Sequence, residues 1–258
     1  MLEVTNLVRR ASRRQALIIG LVTAVLLALP AAAAATHAWG TYHWARSSNP
    51  ISLQVVDNVT ATWDGHLDVA RGDWSQSSVL DLVEAAGAGT NGKTCKAING
   101  KINACNGLYG NTGWLGVAQI WVRGSHITRA TTRVNDTYFN SAPYNTSEWR
   151  QFVMCQEIGH DFGLDHQDED FDNANLGTCM DYTDSPNSNQ HPNQHDYDQL
   201  ELIYAHVDSG ASGPASVPGN GQRDPRAPAA WGRAVDDDVY VADVGGGMRV
   251  ITFVIWVR

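Results

Sequence analysis

Cys155-Gln156-Glu157-Ile158-Gly159-His160-Asp161-Phe162-Gly163-Leu164-Asp165-His166 is the run from which the rest of the chain is read. Residues four apart share one face of a helix, so Gln156 and His160 can point at a single ion. Glu157 sits beside that face, where a carboxylate can take a proton from a metal-bound water. Gly163 suits a left-handed turn that ends the helix and folds the chain back. The turn lets His166 approach the same point from outside the helix. Three protein ligands with a fourth position open is the arrangement of a catalytic zinc rather than a structural one. A lone Glu and His on a helix would mean only a solvated face; the glycine and second histidine at fixed spacing give the run its meaning.

About a dozen residues later comes Thr178-Cys179-Met180-Asp181-Tyr182. Together the two segments resemble the metzincin clan of zinc metalloproteases, closest to matrixin-like secreted bacterial members. The helical part of that pattern is H-E-x-x-H-x-x-G-x-x-H, followed by a methionine-containing turn. The resemblance implies that Met180 underlies the metal and that Gln156, His160 and His166 hold it. Glu157 would be the general base. Met180-x-Tyr182 is similar to the astacin and serralysin branch, which makes Tyr182 a switchable ligand or an oxyanion donor. The matching motifs span only residues 155–182, and a looser likeness in layout spans about 39–207.

The chain departs from the pattern at Gln156, where the first histidine should stand. A glutamine oxygen is neutral and harder than an imidazole nitrogen, so it binds zinc less well. It can still complete a three-ligand set. Otherwise Tyr182 or a nearby carboxylate compensates, or the site is silent. The expected function is a secreted zinc-dependent endopeptidase acting on protein or peptide substrates. The runner-up is a catalytically inactive metal-binding homologue that serves as an extracellular binding module. Asp165, Asp168, Glu169, Asp170 and Asp172 crowd the stretch after the motif, and several carboxylate oxygens would suit calcium. They lack EF-hand spacing, so a solvated acidic loop is the simpler reading. His191, His195 and His206 lie downstream as surface or capping histidines, or as stand-ins for the missing ligand.

The chain has 258 residues, of which 43% are hydrophobic and 17% charged, enough for one well-packed domain with additions. The formal net charge is −9. Residues 1–35 carry four arginines against Glu3, so the remainder is more acidic still. Such a protein is a poor partner for nucleic acid or an anionic membrane surface. Arginines 9, 10, 13 and 14 precede an apolar run at 16–30 and small residues at 31–35, which reads as a cleaved export signal. Ser12-Arg13-Arg14 gives it a twin-arginine flavour. The apolar run is short for a membrane anchor of about 20 residues, so no stable membrane partner is expected after cleavage.

Export fits four cysteines. Three pairings are open to them. Cys95–Cys105 and Cys155–Cys179 are expected, because the second would tie the motif helix to the methionine turn.

The fold class expected is α+β: a twisted sheet, the motif helix, the methionine turn and a C-terminal helix, with a short β appendage. Strands are expected at 51–58, 117–122 and 127–134, the last two joined by Arg123-Gly124-Ser125. Val79, Leu80, Val83 and Ala86 have helical spacing, with Ser75 as cap. Residues 90–112 read as a loop braced by its cysteines. Asn145-Thr146-Ser147-Glu148 has the form of a capping box for the motif helix, and 195–207 has helical spacing. The resemblance implies an extended substrate beside an edge strand, taken here as 117–122. Residues 208–230 read as a Gly/Ser/Pro linker. Residues 231–258 suggest a hairpin around Gly245-Gly246-Gly247 whose apolar final strand must dock on something, since a bare one would aggregate.

Overall fold

The structure is a computed structural model, and it describes residues 36–88, 95–208 and 230–258. The export signal expected at 1–35 and nearly all of the linker expected at 208–230 lie outside the described residues. Thr36–Arg258 forms one compact α+β unit. Among the described residues no helix is long and apolar enough to cross a membrane.

Nine strands make one mixed sheet. They are β1 (His43–Trp44), β2 (Ile51–Asn58), β3 (Leu80–Ala86), β4 (Lys101–Gly107), β5 (Trp114–Arg123), β6 (His126–Asn135), β7 (Arg233–Ala234), β8 (Val239–Gly245) and β9 (Met248–Trp256). Among the described residues four α-helices accompany them: α1 (Ala61–Trp74), the single turn α2 (Asp136–Phe139), α3 (Ser147–His160) and α4 (Gln194–Ile203). The order across the sheet is β3-β2-β4-β6-β5-β9-β8-β7, with β1 beside the start of β6. β3, β2, β4 and β6 run parallel, whereas β5 is antiparallel to both β6 and β9.

Four sequence expectations need correction. Residues 80–86 form a strand, not a helix. Leu80 and Leu82 are buried while Asp81 and Val83 are not, a period of two that a strand supports. The helix lies earlier, in α1, where Trp63, Leu67, Ala70 and Trp74 are buried along one face, and Ser75 closes that helix instead of opening another. The stretch read as a loop at 90–112 contains a strand, β4, inserted between β2 and β6 with Ile102 and Ala104 fully buried; its residues 90–94 lie outside the described residues. The cap of α3 is Thr146, not Asn145: its side chain accepts from the Trp149 N–H. The last helix also stops at Ile203, short of 207, and opens on a reciprocal box between Asn193 and Asp196.

The main core lies between the sheet and the two long helices. Trp63 and Trp74 of α1, Phe152 and Ile158 of α3, and Ala118 and Ile120 of β5 belong to it. The Trp74 indole donates to the Cys155 carbonyl at 3.0 Å, a bond that fixes α1 against α3. The far face of β5 is covered as well, because Trp114 and Val117 pack with Val254 and Trp231. Burial on both faces explains why β5 reads as an unbroken apolar run rather than an alternating one.

The hairpin expected at the C-terminus is present, and glycines 245, 246 and 247 at its turn all have positive φ. It docks by adding β9 to β5 along the whole strand, from Trp114 opposite Trp256 to Arg123 opposite Met248. β5 is therefore no edge. The expectation that 117–122 offers a free edge to an extended substrate is overturned, because the chain's own last strand already holds those backbone groups.

Candidate metal centre

α3 carries the motif into the densest part of the fold. Its first turn is capped by Thr146, and its last ends at His160. Gly163 has φ +92, and a Cβ there would lie 2.1 Å from the Tyr42 carbonyl oxygen. Only glycine fits that turn, as the sequence reading required. The reversed chain is held by the opening segment: the Trp39 N–H donates to the Gly163 carbonyl, and the Asp165 N–H to that of His37. His166 thereby comes to face His160, with ring centroids 4.6 Å apart.

Met180 is fully buried beneath the helix. A Cβ on Gly159 would lie 2.6 Å from its sulfur and 2.7 Å from the Trp74 ring, so the helix backbone rests directly on the thioether. Cys155 and Cys179 form a disulfide that ties α3 to this turn, and Cys95 pairs with Cys105. Both expected pairings are present. They point to a non-cytoplasmic compartment.

Gln156, Glu157 and His160 are fully buried, and His166 nearly so. The two histidines are each oriented by one nitrogen. His160 Nδ1 lies 3.0 Å from the Leu164 carbonyl, and His166 Nδ1 lies 3.4 Å from a Glu169 oxygen and 3.3 Å from an Asp238 oxygen. These acceptors place the ring proton on Nδ1 and leave Nε2 as a lone-pair donor. Both Nε2 atoms, both side-chain polar atoms of Gln156 and both oxygens of Glu157 are buried without a hydrogen bond of good geometry. Leaving one such group unsatisfied costs about 1–3 kcal/mol. A cluster of them on one motif fits an ion site.

Electrostatics agree with that fit. Burial drives His160 well below the usual imidazole range, and His166 adds to it. Burial takes His166 down to about 3, with His37 pushing the same way. Both rings are therefore neutral, the form that ligates metal. Burial raises Glu157 well above the usual carboxylate range; Asp161 and Asp238 raise it further, and the backbone at Ala118 and Ile255 only partly offsets them. β5 is pressed onto this carboxylate, since a Cβ on Gly116 would lie 2.3 Å from Glu157 Oε1.

Tyr182 is half-buried, its ring 4.3 Å from that of His166 and stacked on Phe171 at 4.7 Å. It lines a cavity of about 310 Å3 together with Trp149, Phe152, Glu169, Asp238 and Ile255. The acidic stretch also contributes here, because Asp165, His166 and Glu169 bring donor atoms within 4.8 Å of one another. Asp168 is engaged otherwise: its Oδ1 accepts from the Asp170 N–H and from Asn173, which braces the loop. His191 meets Asp73, His195 stacks on His37, and His206 joins a separate cluster.

Two residues at the site were not singled out in the sequence. Phe253 of β9 stacks flat on His160 at 4.4 Å, with 4° between the rings. Asp238, just before β8, reaches His166, and burial with Glu169 raises its carboxyl to about 7. Neither carries a local signal, because both are delivered by the pairing of β9 with β5, which lies far upstream in sequence. No protein-family model matches this chain, and no curated protein matches it in sequence.

Proposed function

We propose that this chain is an exported zinc endopeptidase of metzincin type, held closed by its own C-terminal hairpin. The observation that carries the reading is the buried set of unpartnered atoms on Gln156, His160 and His166. Two neutral imidazoles with free Nε2 atoms and a neutral amide oxygen suit a borderline metal such as zinc. Support also comes from the order of elements: parallel strands, an antiparallel β5, the motif helix, the methionine turn and a last helix.

Zinc, when bound, would supply polarisation of a scissile carbonyl and a water of lowered pKa. The chain's own residues do the rest. Glu157, beside the ion, could take a proton from the water and return it to the leaving amine. The Tyr182 hydroxyl can donate to a developing oxyanion. The aromatic cavity beside Tyr182 would receive an apolar substrate side chain. Phe253 of β9 lies on His160, so substrate would reach the motif only once β9 leaves.

Zinc content and cleavage of an unstructured protein substrate test the proposal. Glu157→Gln should keep its zinc while turnover falls at least about 100-fold. Equal turnover in the two proteins would remove Glu157 from the chemistry. The burial of the site under β9 also favours the second reading, a zinc-holding module without activity. That reading prevails if zinc is bound and no variant that loosens β9 cleaves.

A further inference from the structure

A second group of ligand-type side chains stands apart from the motif, at the start of β6. His43 on β1 and His126 on β6 are direct neighbours in the β1–β6 pairing. His206 and Asp208 arrive from the segment after α4. Asp208 Oδ1 lies 3.5 Å from His43 Nε2, 3.1 Å from His126 Nε2 and 3.4 Å from His206 Nε2. His43 Nε2 and His206 Nε2 are 3.1 Å apart. The donor atoms of His43, His126 and Asp208 all lie within 4.8 Å of one another.

Ligand atoms on a tetrahedral zinc ion stand about 3.3 Å apart, given bonds of about 2.0–2.1 Å. Four of the six separations fall around that value; the exposed His206 ring lies outside the set of three and must swing in to complete the fourth corner. The ring orientations point the same way. His43 Nδ1 faces the Thr41 carbonyl at 2.8 Å, so it carries the proton and Nε2 presents a lone pair to the cluster. Two imidazole nitrogens at 3.1 Å need something positive between them, a proton or a cation. Asp208 is the anionic member, and the Arg46 N–H at its second oxygen favours the charged form.

The scaffold behind the four is rigid. Arg46 and Asp208 exchange backbone hydrogen bonds, since the Asp208 N–H donates to the Arg46 carbonyl and Asp208 Oδ2 accepts from the Arg46 N–H, each at 2.9 Å. The Arg46 guanidinium also donates to the His206 carbonyl. His126 and His206 are partly exposed, with side-chain accessibilities of 43% and 52%, so their rings can adjust to an ion and an ion can enter.

We propose that His43, His126, His206 and Asp208 form a second zinc site. Its four protein ligands leave no position open, which is the mark of a structural site. It fastens the opening segment to the chain that follows α4. Through Trp39 and Tyr42 the same segment backs the Gly163 turn and hence His166. The site shares no ligand with the motif, so it stands whether or not the motif binds zinc.

The test counts zinc and follows thermal unfolding in the full exported chain. The proteins are the parent, the double variant His126→Gln/His206→Gln, Asp208→Asn and His160→Ala. The double variant changes only partly exposed residues, so it should fold. If both sites bind, the parent holds two zinc ions and the double variant one. If the motif binds none, the parent holds one and the double variant none, while His160→Ala still holds one. In either case zinc affinity at this site should fall at least 100-fold in the double variant and in Asp208→Asn, beyond the roughly 10–100-fold of an outer-shell change. Zinc should raise the melting temperature of the parent and His160→Ala more than that of the double variant. Cobalt in place of zinc should give a tetrahedral spectrum in His160→Ala that the double variant lacks. Equal zinc content and equal thermal response in parent and double variant would overturn the proposal and leave a proton-sharing His–Asp cluster.

Discussion

Phe253→Ala tests whether β9 gates the motif. The ring is fully buried, lies flat on His160 and meets Trp39 edge-on at 5.7 Å. Truncating a buried phenylalanine costs about 3–5 kcal/mol, the sum of lost burial and the cavity left behind. Each of the two ring contacts accounts for about 0.5–1.5 kcal/mol of that. Stabilities of about 5–15 kcal/mol are usual, so the variant should still fold. If about 3 kcal/mol falls on the state with β9 detached, that state becomes on the order of 100-fold more populated. Zinc capture by a strong chelator should then accelerate by about that factor, and cleavage of an unstructured substrate should rise with it. Leu67→Ala is the control. Leu67 is buried in α1, on another element, so its loss of about 2–5 kcal/mol should leave β9 in place. Equal acceleration in both variants would show that zinc leaves by global unfolding, and the gating idea would fall. A cost under about 1 kcal/mol for Phe253→Ala would refute the packing argument itself.

Gln156→Ala should weaken zinc binding at the motif at least tenfold, and Gln156→His should tighten it, because imidazole suits zinc better than an amide oxygen; competition with a chelating dye reads both, and unchanged affinity in the alanine variant would take Gln156 out of the ligand set. Gly159→Ala should destabilise by about 1–3 kcal/mol, since its methyl would drive into Met180 and Trp74; a neutral result in urea unfolding would mean the turn yields freely. Replacing Cys155 and Cys179 by alanine together should cost about 3–4 kcal/mol, the value for a loop with a sequence separation of 24. A melting temperature close to the parent's would show that packing alone holds the turn.

The motif was legible because its geometry is local. Helical spacing from Gln156 to His160, a glycine that must turn, and a histidine three residues on are all fixed by neighbours in sequence. The cysteine pairings were legible for a related reason, since the partners lie only 10 and 24 positions apart. What failed was set by distant partners. Leu80 to Ala86 has apolar residues that fit either period, and β2 beside it decides for a strand. The stretch around Cys105 is polar enough to read as loop, and burial between β2 and β6 makes it β4. The apolar run at 250–257 demanded a partner, yet nothing in it names β5. His43, His126 and Asp208 lie 165 positions apart at the extremes, and only the β1–β6 pairing with the Arg46 clamp brings them together.

The joining of β9 to β5 also bears on the order in which the molecule is assembled. Every residue of the motif is made before the strand that covers it. Pairing across such a separation is slow, because the entropy of closing a long loop is lost before its contacts form. A period therefore exists, after α3 and the methionine turn have folded, when the motif is still open to water. An ion bound for His160 and His166 has its easy passage then. Once Phe253 settles on the imidazole, arrival and departure both wait on the strand. On the proposed reading, zinc at the motif is set by the ions present during folding, and protein refolded without zinc should fill that site far more slowly afterwards than protein refolded in its presence.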